Sequence, residues 1–224
     1  VFCSSMARYG NQKAPFIEDM LPQPVDPYGI SKVAAEEILK VLSKVHNFNY
    51  TIAVPHNIVG PYQKYDDPFR NVISIMLNRL LQNKPAIIYG DGSQTRCFSY
   101  IDDCIQCLEK MVFDNSTNGQ IINIGPDEEI ITIKELADLC SNVVGKNIPH
   151  EYYLEGRPTE VKHATCSSNK ARKILNYKTT TNIKEAIKKT YEYIIDKGPK
   201  EFKYNYDIEI LNNKTPKTWS EKRI

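Results

Sequence analysis

The pattern Tyr-x-x-x-Lys occurs three times in the chain, as Tyr9/Lys13, Tyr28/Lys32 and Tyr193/Lys197. Tyr9 and Lys13 straddle Gly10 in a turn, where residues four apart need not meet. Tyr193 and Lys197 close the last amphipathic helix and read as a packed tyrosine beside a solvated lysine. Tyr28/Lys32 differs in place: it opens a helix, 23 residues after Ser5 at the end of an apolar segment. Residues four apart share a helix face, so the ammonium of Lys32 can approach the phenol of Tyr28. A neighbouring cation favours the phenolate. A serine hydroxyl such as that of Ser5 would relay the proton or hold a substrate oxygen. Together these groups make an apparatus for taking a proton from an alcohol while a hydride leaves its carbon.

Such residues need elements to aim them. Short apolar runs at 1–5, 50–55, 86–89, 97–101 and 120–124 read as strands. Asp26-Pro27 reads as an N-cap with proline at the first helical position, ahead of Ala34, Ile38, Val41, Leu42 and Val45 at helical spacing. Further helices fit 71–82 (Val72, Ile75, Met76, Leu80) and 102–113 (Ile105, Leu108, Val112). Thr132-x-x-Glu135 is a capping box for a helix running to Gly145. Asn182-x-x-Glu185 opens another, stopped by Gly198-Pro199. Strands alternating with helices predict an α/β fold with a largely parallel sheet. After Gly198 only a polar tail rich in Lys and Asn follows.

Composition narrows the class. The 224 residues are 41% hydrophobic and 25% charged, ample for a packed core. Twenty-nine basic against 27 acidic residues gives a net charge of +2, with no pointer to nucleic acid or a membrane surface. No apolar run approaches the ~18 residues of a bilayer crossing. The six cysteines mostly lie in apolar patterns and read as reduced thiols of a cytoplasmic protein. Cys104 and Cys107 form a lone C-x-x-C on one helix face, which reads as core rather than a metal site.

The ordered segments Ser4-Ser5-Met6-Ala7-Arg8-Tyr9-Gly10, Pro27-Tyr28-Gly29-Ile30-Ser31-Lys32 and His56-Asn57-Ile58-Val59-Gly60-Pro61 resemble the extended short-chain dehydrogenase/reductases. The likeness is strongest to the nucleotide-sugar epimerases and dehydratases. It continues through Tyr89-Gly90-Asp91-Gly92-Ser93-Gln94-Thr95-Arg96, Tyr100-Ile101-Asp102-Asp103, Asn123-Ile124-Gly125 and Gly156-Arg157-Pro158. The resemblance implies the later part of a doubly wound Rossmann-type parallel sheet, with a smaller α/β substrate-binding domain interleaved. In numbers, 1–60 and 96–125 would be Rossmann remainder, 61–95 and 126–198 the substrate domain, and 199–224 a tail. It also implies NAD as cofactor and a nucleotide-diphosphate sugar as substrate.

By the same resemblance, Ser5, Tyr28 and Lys32 form a catalytic triad, with Tyr28 as base and Lys32 on the nicotinamide ribose. Ser5 would take the sugar hydroxyl, and Pro55 would border the nicotinamide. Asn57, Asn71, Arg96 and Arg157 would hold the diphosphate, the arginines as bidentate clamps. Tyr89 would pack on the nucleotide base. Taken alone, Asn57 is equally able to bond a turn, Arg96 to pair with Asp102 or Asp103, and Tyr89 to belong to the core. His56 reads as a packed side chain.

The reaction follows by elimination within the family. Dehydratases carry an Asp-Glu pair after the serine, and this chain has Met6-Ala7, which exchange no protons. The glutamate of UDP-glucuronate decarboxylases and the cysteine of GDP-mannose 3,5-epimerase are likewise replaced by Ala7. Epimerisation at C4 through a transient 4-keto sugar remains the leading expectation. Epimerisation at another carbon, dehydration, or mere binding by a non-catalytic segment are the alternatives. Ala164 falls at a size-gate position, and a small residue there would admit UDP-N-acetylhexosamines as well as UDP-hexoses. Relatives commonly form homodimers through the helix carrying Tyr28 and Lys32. Its apolar positions suit that use and burial against the sheet equally.

One family feature is missing. No G-x-x-G-x-x-G occurs in the chain. Val1-Phe2-Cys3-Ser4-Ser5 is strand-like from the first residue. At ~30 residues per βαβ unit, about a hundred residues carrying the pyrophosphate site are expected ahead of Val1.

Overall fold

The structure, a computed structural model, describes residues 1–153, 160–205, 207, 211–213 and 215–224. In chain order it contains β1 (Phe2–Cys3), a 3-10 turn (Met6–Tyr9), α1 (Pro27–His46), β2 (Ile52–Pro55), β3 (Ile58–Val59), α2 (Val72–Leu81), β4 (Ile87–Tyr89), β5 (Thr95–Arg96) and β6 (Ser99–Tyr100). It continues through α3 (Ile101–Phe113), β7 (Ile121–Ile124), β8 (Ile131–Thr132), α4 (Ile133–Val144), β9 (Glu151–Tyr153), β10 (His163–Ala164), α5 (Asn169–Leu175), α6 (Ile183–Lys197) and α7 (Lys217–Ser220).

The chain divides into two compact units. The first comprises Val1–Ile58, Thr95–Ile130 and Val161–Ile183. Its centre is a parallel sheet in the order β1-β2-β7, with Phe2 opposite Ile52 and Ile52 opposite Ile121. The bond from Ser4 N to the Ala53 carbonyl and that from His56 N to the Ile124 carbonyl extend the ladder past the strand ends. Successive residues of β2 point to opposite faces. Ile52 and Val54 join Tyr9, Phe16, Ala164 and Cys166 in one buried cluster. Ala53 joins Cys104, Cys107 and Met111 of α3, Ile122 and Ile124 of β7, and Ala171 and Leu175 of α5 in the other.

Helix α1 begins where the sequence predicts: Asp26 Oδ1 accepts the Gly29 amide, with Pro27 at the first position. Its apolar stripe, however, faces outward. Ile30, Ile38, Val41, Leu42 and Val45 are all exposed, while Gly29 and Glu36 are the buried residues.

The second unit comprises Val59–Gln94, Ile131–Glu160 and Lys184–Ile224. Here β4 pairs in parallel with β9, and α2 packs against α4. The capping box of α4 is complete: the Thr132 hydroxyl accepts the Glu135 amide, and Glu135 accepts the Thr132 amide. Gly145 ends the helix in the left-handed region at φ 71°. Helix α2 is buried on every side from Ile73 to Leu80. Its polar Asn78 is satisfied by the carbonyls of Tyr65 and Lys200. The polar-looking tail is part of this unit. Ile224, Phe202 and Trp219 pack on Ile75, Ile87 and Tyr89.

Candidate functional site

The carboxyl end of β1 carries the predicted proton-transfer group. After Cys3 the chain leaves the sheet, and Ser5 caps the 3-10 turn, its Oγ accepting the Ala7 amide at 3.2 Å. The first turn of α1 lies directly against this turn because Gly29 has no side chain. A Cβ there would stand 2.8 Å from the Ala7 carbonyl oxygen and 3.0 Å from Pro24 Cβ. Tyr28 precedes Gly29 and is 55% exposed. One turn later, Lys32 Nζ donates to the Cys3 carbonyl at 3.0 Å and lies 5.6 Å from the centroid of the Tyr28 ring. Lys32 therefore bridges the end of β1 and the phenol, the i, i+4 relation that the spacing predicts.

Pro55 ends β2, opposite Ile124. His56, which follows, is fully buried, with Nδ1 3.3 Å from the Pro126 carbonyl oxygen. That contact is a hydrogen bond when Nδ1 carries the proton. Burial pushes its pKa down to about 4, against the opposing pull of that bond and of Asp127, so the imidazole is neutral near pH 7. Gly125, at φ 143°, makes room for the ring: a Cβ would stand 2.7 Å from His56 Cγ. His56 is packed, as the sequence suggests.

Asn57 donates to the Cys97 carbonyl at 2.8 Å, and its own carbonyl accepts the Ser99 amide. This is the turn-bonding arrangement that the sequence left open. Arg96, on β5, donates from Nη1 to the carbonyls of Thr95 and Lys162. Ala164 stands opposite Arg96 in the β5–β10 pairing and is buried beside Tyr9 and Phe16. In the second unit, Asn71 caps α2 through Ile73 N. Tyr89 is 7% exposed, its hydroxyl bonded to that of Thr218 and its ring in the cluster with Ile75, Ile87 and Ile224. Arg157 lies outside the described residues.

Thus Lys32 reaches from Tyr28 to the end of β1, two residues before Ser5, and Arg96 and Ala164 are neighbours within the same unit. The buried thiols offer no competing chemistry. Burial holds Cys104 up at about 12 and Cys107 at about 11, so both stay protonated. Among the described residues, no group of three or more His, Cys, Asp or Glu is placed to hold a metal ion, and no helix is long and apolar enough to cross a membrane. A buried polar cluster of Ser4, Arg8 and Glu36, which the sequence did not reveal, lies next to Ser5 in the chain and one helical turn beyond Lys32. Glu36 repeats the four-residue phase of Tyr28 and Lys32, and that was the available signal.

The chain is 29% identical over 193 residues to UDP-glucose 4-epimerase of Mycolicibacterium smegmatis, covering 85% of this chain and 60% of the relative. Among solved structures it is similar to UDP-glucuronic acid 4-epimerase of Bacillus cereus, solved with UDP-glucuronic acid and NAD. There the TM-score is 0.80 and the identity 29%, over 88% of this chain and 61% of the other. It is similar also to UDP-N-acetylglucosamine 4-epimerase of Methanobrevibacter ruminantium, with a TM-score of 0.81 and 25% identity, over 88% and 63% of the two chains. The chain spans about 60% of the length of the curated relatives it matches. Its fold is that of the Rossmann-type epimerases. Residues 1–125, more than half of the sequence, match the NAD dependent epimerase/dehydratase family, and the chain belongs to that family.

Proposed function

We propose that the intact protein is an NAD-dependent nucleotide-sugar epimerase acting at C4, an isomerase of UDP-hexoses or UDP-N-acetylhexosamines. The observation that carries this reading is Lys32, held between the Cys3 carbonyl and the ring of an exposed Tyr28. In this reading Tyr28 takes the proton of the C4 hydroxyl and later returns it. Ser5 orients that hydroxyl, and Lys32 keeps positive charge beside the phenol. Met6 and Ala7 add no acid or base, consistent with a reaction that eliminates nothing.

The groups at the ends of β1 and β2 fit the nicotinamide end of a dinucleotide: the Lys32 cation and the Tyr28 phenol beside β1, and the backbone carbonyl of Pro55 at the end of β2. NAD, when bound, would supply the oxidising equivalent by accepting a hydride from C4 and returning it to the opposite face. The 4-keto sugar must turn over between these steps. A clamp on the diphosphate permits this, and the resemblance names Asn57, Asn71, Arg96 and Arg157 as its candidates. The relatives named above act on UDP-sugars, which supports uridine as the nucleoside. By the resemblance Tyr89 would stack on the nucleotide base, and the small side chain of Ala164 would admit a 2-N-acetyl group.

The outward stripe of α1 supports a homodimer. Ile30, Ala34, Ile38, Val41, Leu42 and Val45 are arranged nearly symmetrically about Ile38, as two antiparallel copies of one helix require. The buried reduced thiols suit a cytoplasmic protein. The test is to incubate the intact protein with UDP-glucose, UDP-N-acetylglucosamine and UDP-glucuronic acid and identify the products. Conversion to the C4 epimer of any of them supports the reading. Binding without turnover would leave a sugar-nucleotide-binding protein instead.

A further inference from the structure

The cluster of Ser4, Arg8 and Glu36 is used by no step of the proposed reaction, yet it is the most completely buried charged group of the first unit. Glu36 is fully buried on α1, one turn beyond Lys32. Its carboxylate accepts the Ser4 hydroxyl, together with Arg8 Nε and Nη2 at 3.1 Å each. The Arg8 side chain is 2% exposed. Its guanidinium lies 4.9 Å from the centroid of Tyr9, whose hydroxyl donates to Asn123 on β7 at 2.8 Å.

Taking two opposite charges out of water is costly, and an apolar pair of similar volume holds elements together at least as well. What the ion pair adds is direction. Charge-assisted bonds to a planar fork fix angle and register in a way that apolar contacts do not. The elements fixed are the end of β1, the 3-10 turn and α1. Those same three carry Ser5, Tyr28 and Lys32. The bond from Lys32 to Cys3 repeats the tie one helical turn earlier.

We propose that Arg8 and Glu36, with Ser4, are positioning residues that hold the turn bearing Ser5 in register with the Tyr28–Lys32 face of α1. The proposal rests on the catalytic reading of that triad. These side chains act through it, being too buried to touch a substrate.

The test is the double variant Arg8→Met/Glu36→Leu in the intact protein, which replaces the pair by apolar groups and leaves no buried charge unpaired. The readouts are Tm, kcat and KM on the UDP-sugar panel, and amide hydrogen exchange at residues 5–10 and 28–32. The expected result is a retained Tm and KM, with kcat lower by on the order of 10- to 100-fold and faster exchange in both segments. A purely structural role would move Tm and leave kcat of the folded protein alone. A folded double variant with wild-type kcat and unchanged exchange overturns the proposal. Should the double variant not fold, Ser4→Ala decides in the same way, through a several-fold loss of kcat or none. If wild-type protein and Tyr28→Phe are equally inert on every sugar, the catalytic reading has failed. The exchange measurement then decides alone whether the cluster registers the turn on the helix.

Discussion

Lys32 makes one hydrogen bond that ties a helix to the end of a strand, and the same ammonium stands near a phenol that solvent can reach. Removing only the Tyr28 hydroxyl should therefore leave the fold intact while removing the proton acceptor. Tyr28→Phe is expected to lower kcat by about 10²–10⁴-fold with Tm unchanged, measured by steady-state kinetics beside thermal melts. Gly29→Ala acts on the neighbouring backbone instead. The new methyl would meet the Ala7 carbonyl at 2.8 Å, and backbone has to move. We expect a loss of roughly 1–3 kcal/mol in chemical denaturation. His56 gives a pH signature. Its pKa is about 4 in the folded protein, below the ordinary value of 6.5, so the unfolded chain binds the extra proton first. Stability is then full above about pH 6.5 and falls between pH 6.5 and 4, by on the order of 3 kcal/mol. Titrating the unfolding free energy of wild type and His56→Gln over that window should show the slope in the first and a flatter line in the second. Tyr28 and Lys32 were legible in the sequence because their spacing has a geometric meaning. Glu36 was not, because a glutamate on a helix ordinarily marks the solvated face, and only its partners Ser4 and Arg8, distant in sequence, reverse that.

At the scale of elements, local chemistry was the dependable guide. The Asp26 cap, the Thr132–Glu135 box, and the glycines at 145 and 198 all set helix ends where the sequence indicates, because each acts within four residues. Thr132→Ala removes one cap bond from α4 and should cost about 1 kcal/mol in equilibrium unfolding. The side on which α1 buries its residues was not legible. A stripe at helical spacing says that one face is apolar, and it does not say what covers it. Two-residue strands such as β5 and β10 escaped notice for a different reason. They are too short to show an alternation, and their pairing partners lie far away in sequence. The tail packs despite its polar composition. Among the described residues its lysines and asparagines are exposed, while Trp219 and Ile224 supply the contacts that fix it.

The whole molecule interleaves two units along one chain, a consequence of parallel strands that need long crossovers between them. Residues 126–130 and 161–183 belong with the sheet of the first unit, and 199–224 with the second. The exposed stripe of α1 makes a prediction at this scale: Ile38→Asp should convert a dimer of the intact protein to a monomer in sedimentation velocity, because it places a charge at the symmetric centre of the helix pair. The family and its fold follow from the sequence and structure together, and the sugar chemistry is the claim that most needs a direct test. That test is the anomeric proton spectrum of each UDP-sugar after incubation with the intact, NAD-loaded protein and with its Tyr28→Phe variant. Interconversion of at least one C4 epimer pair by the wild type, and its loss in the variant, are expected. A folded, NAD-loaded wild type that leaves every sugar unchanged, or turnover that survives Tyr28→Phe, would contradict that expectation.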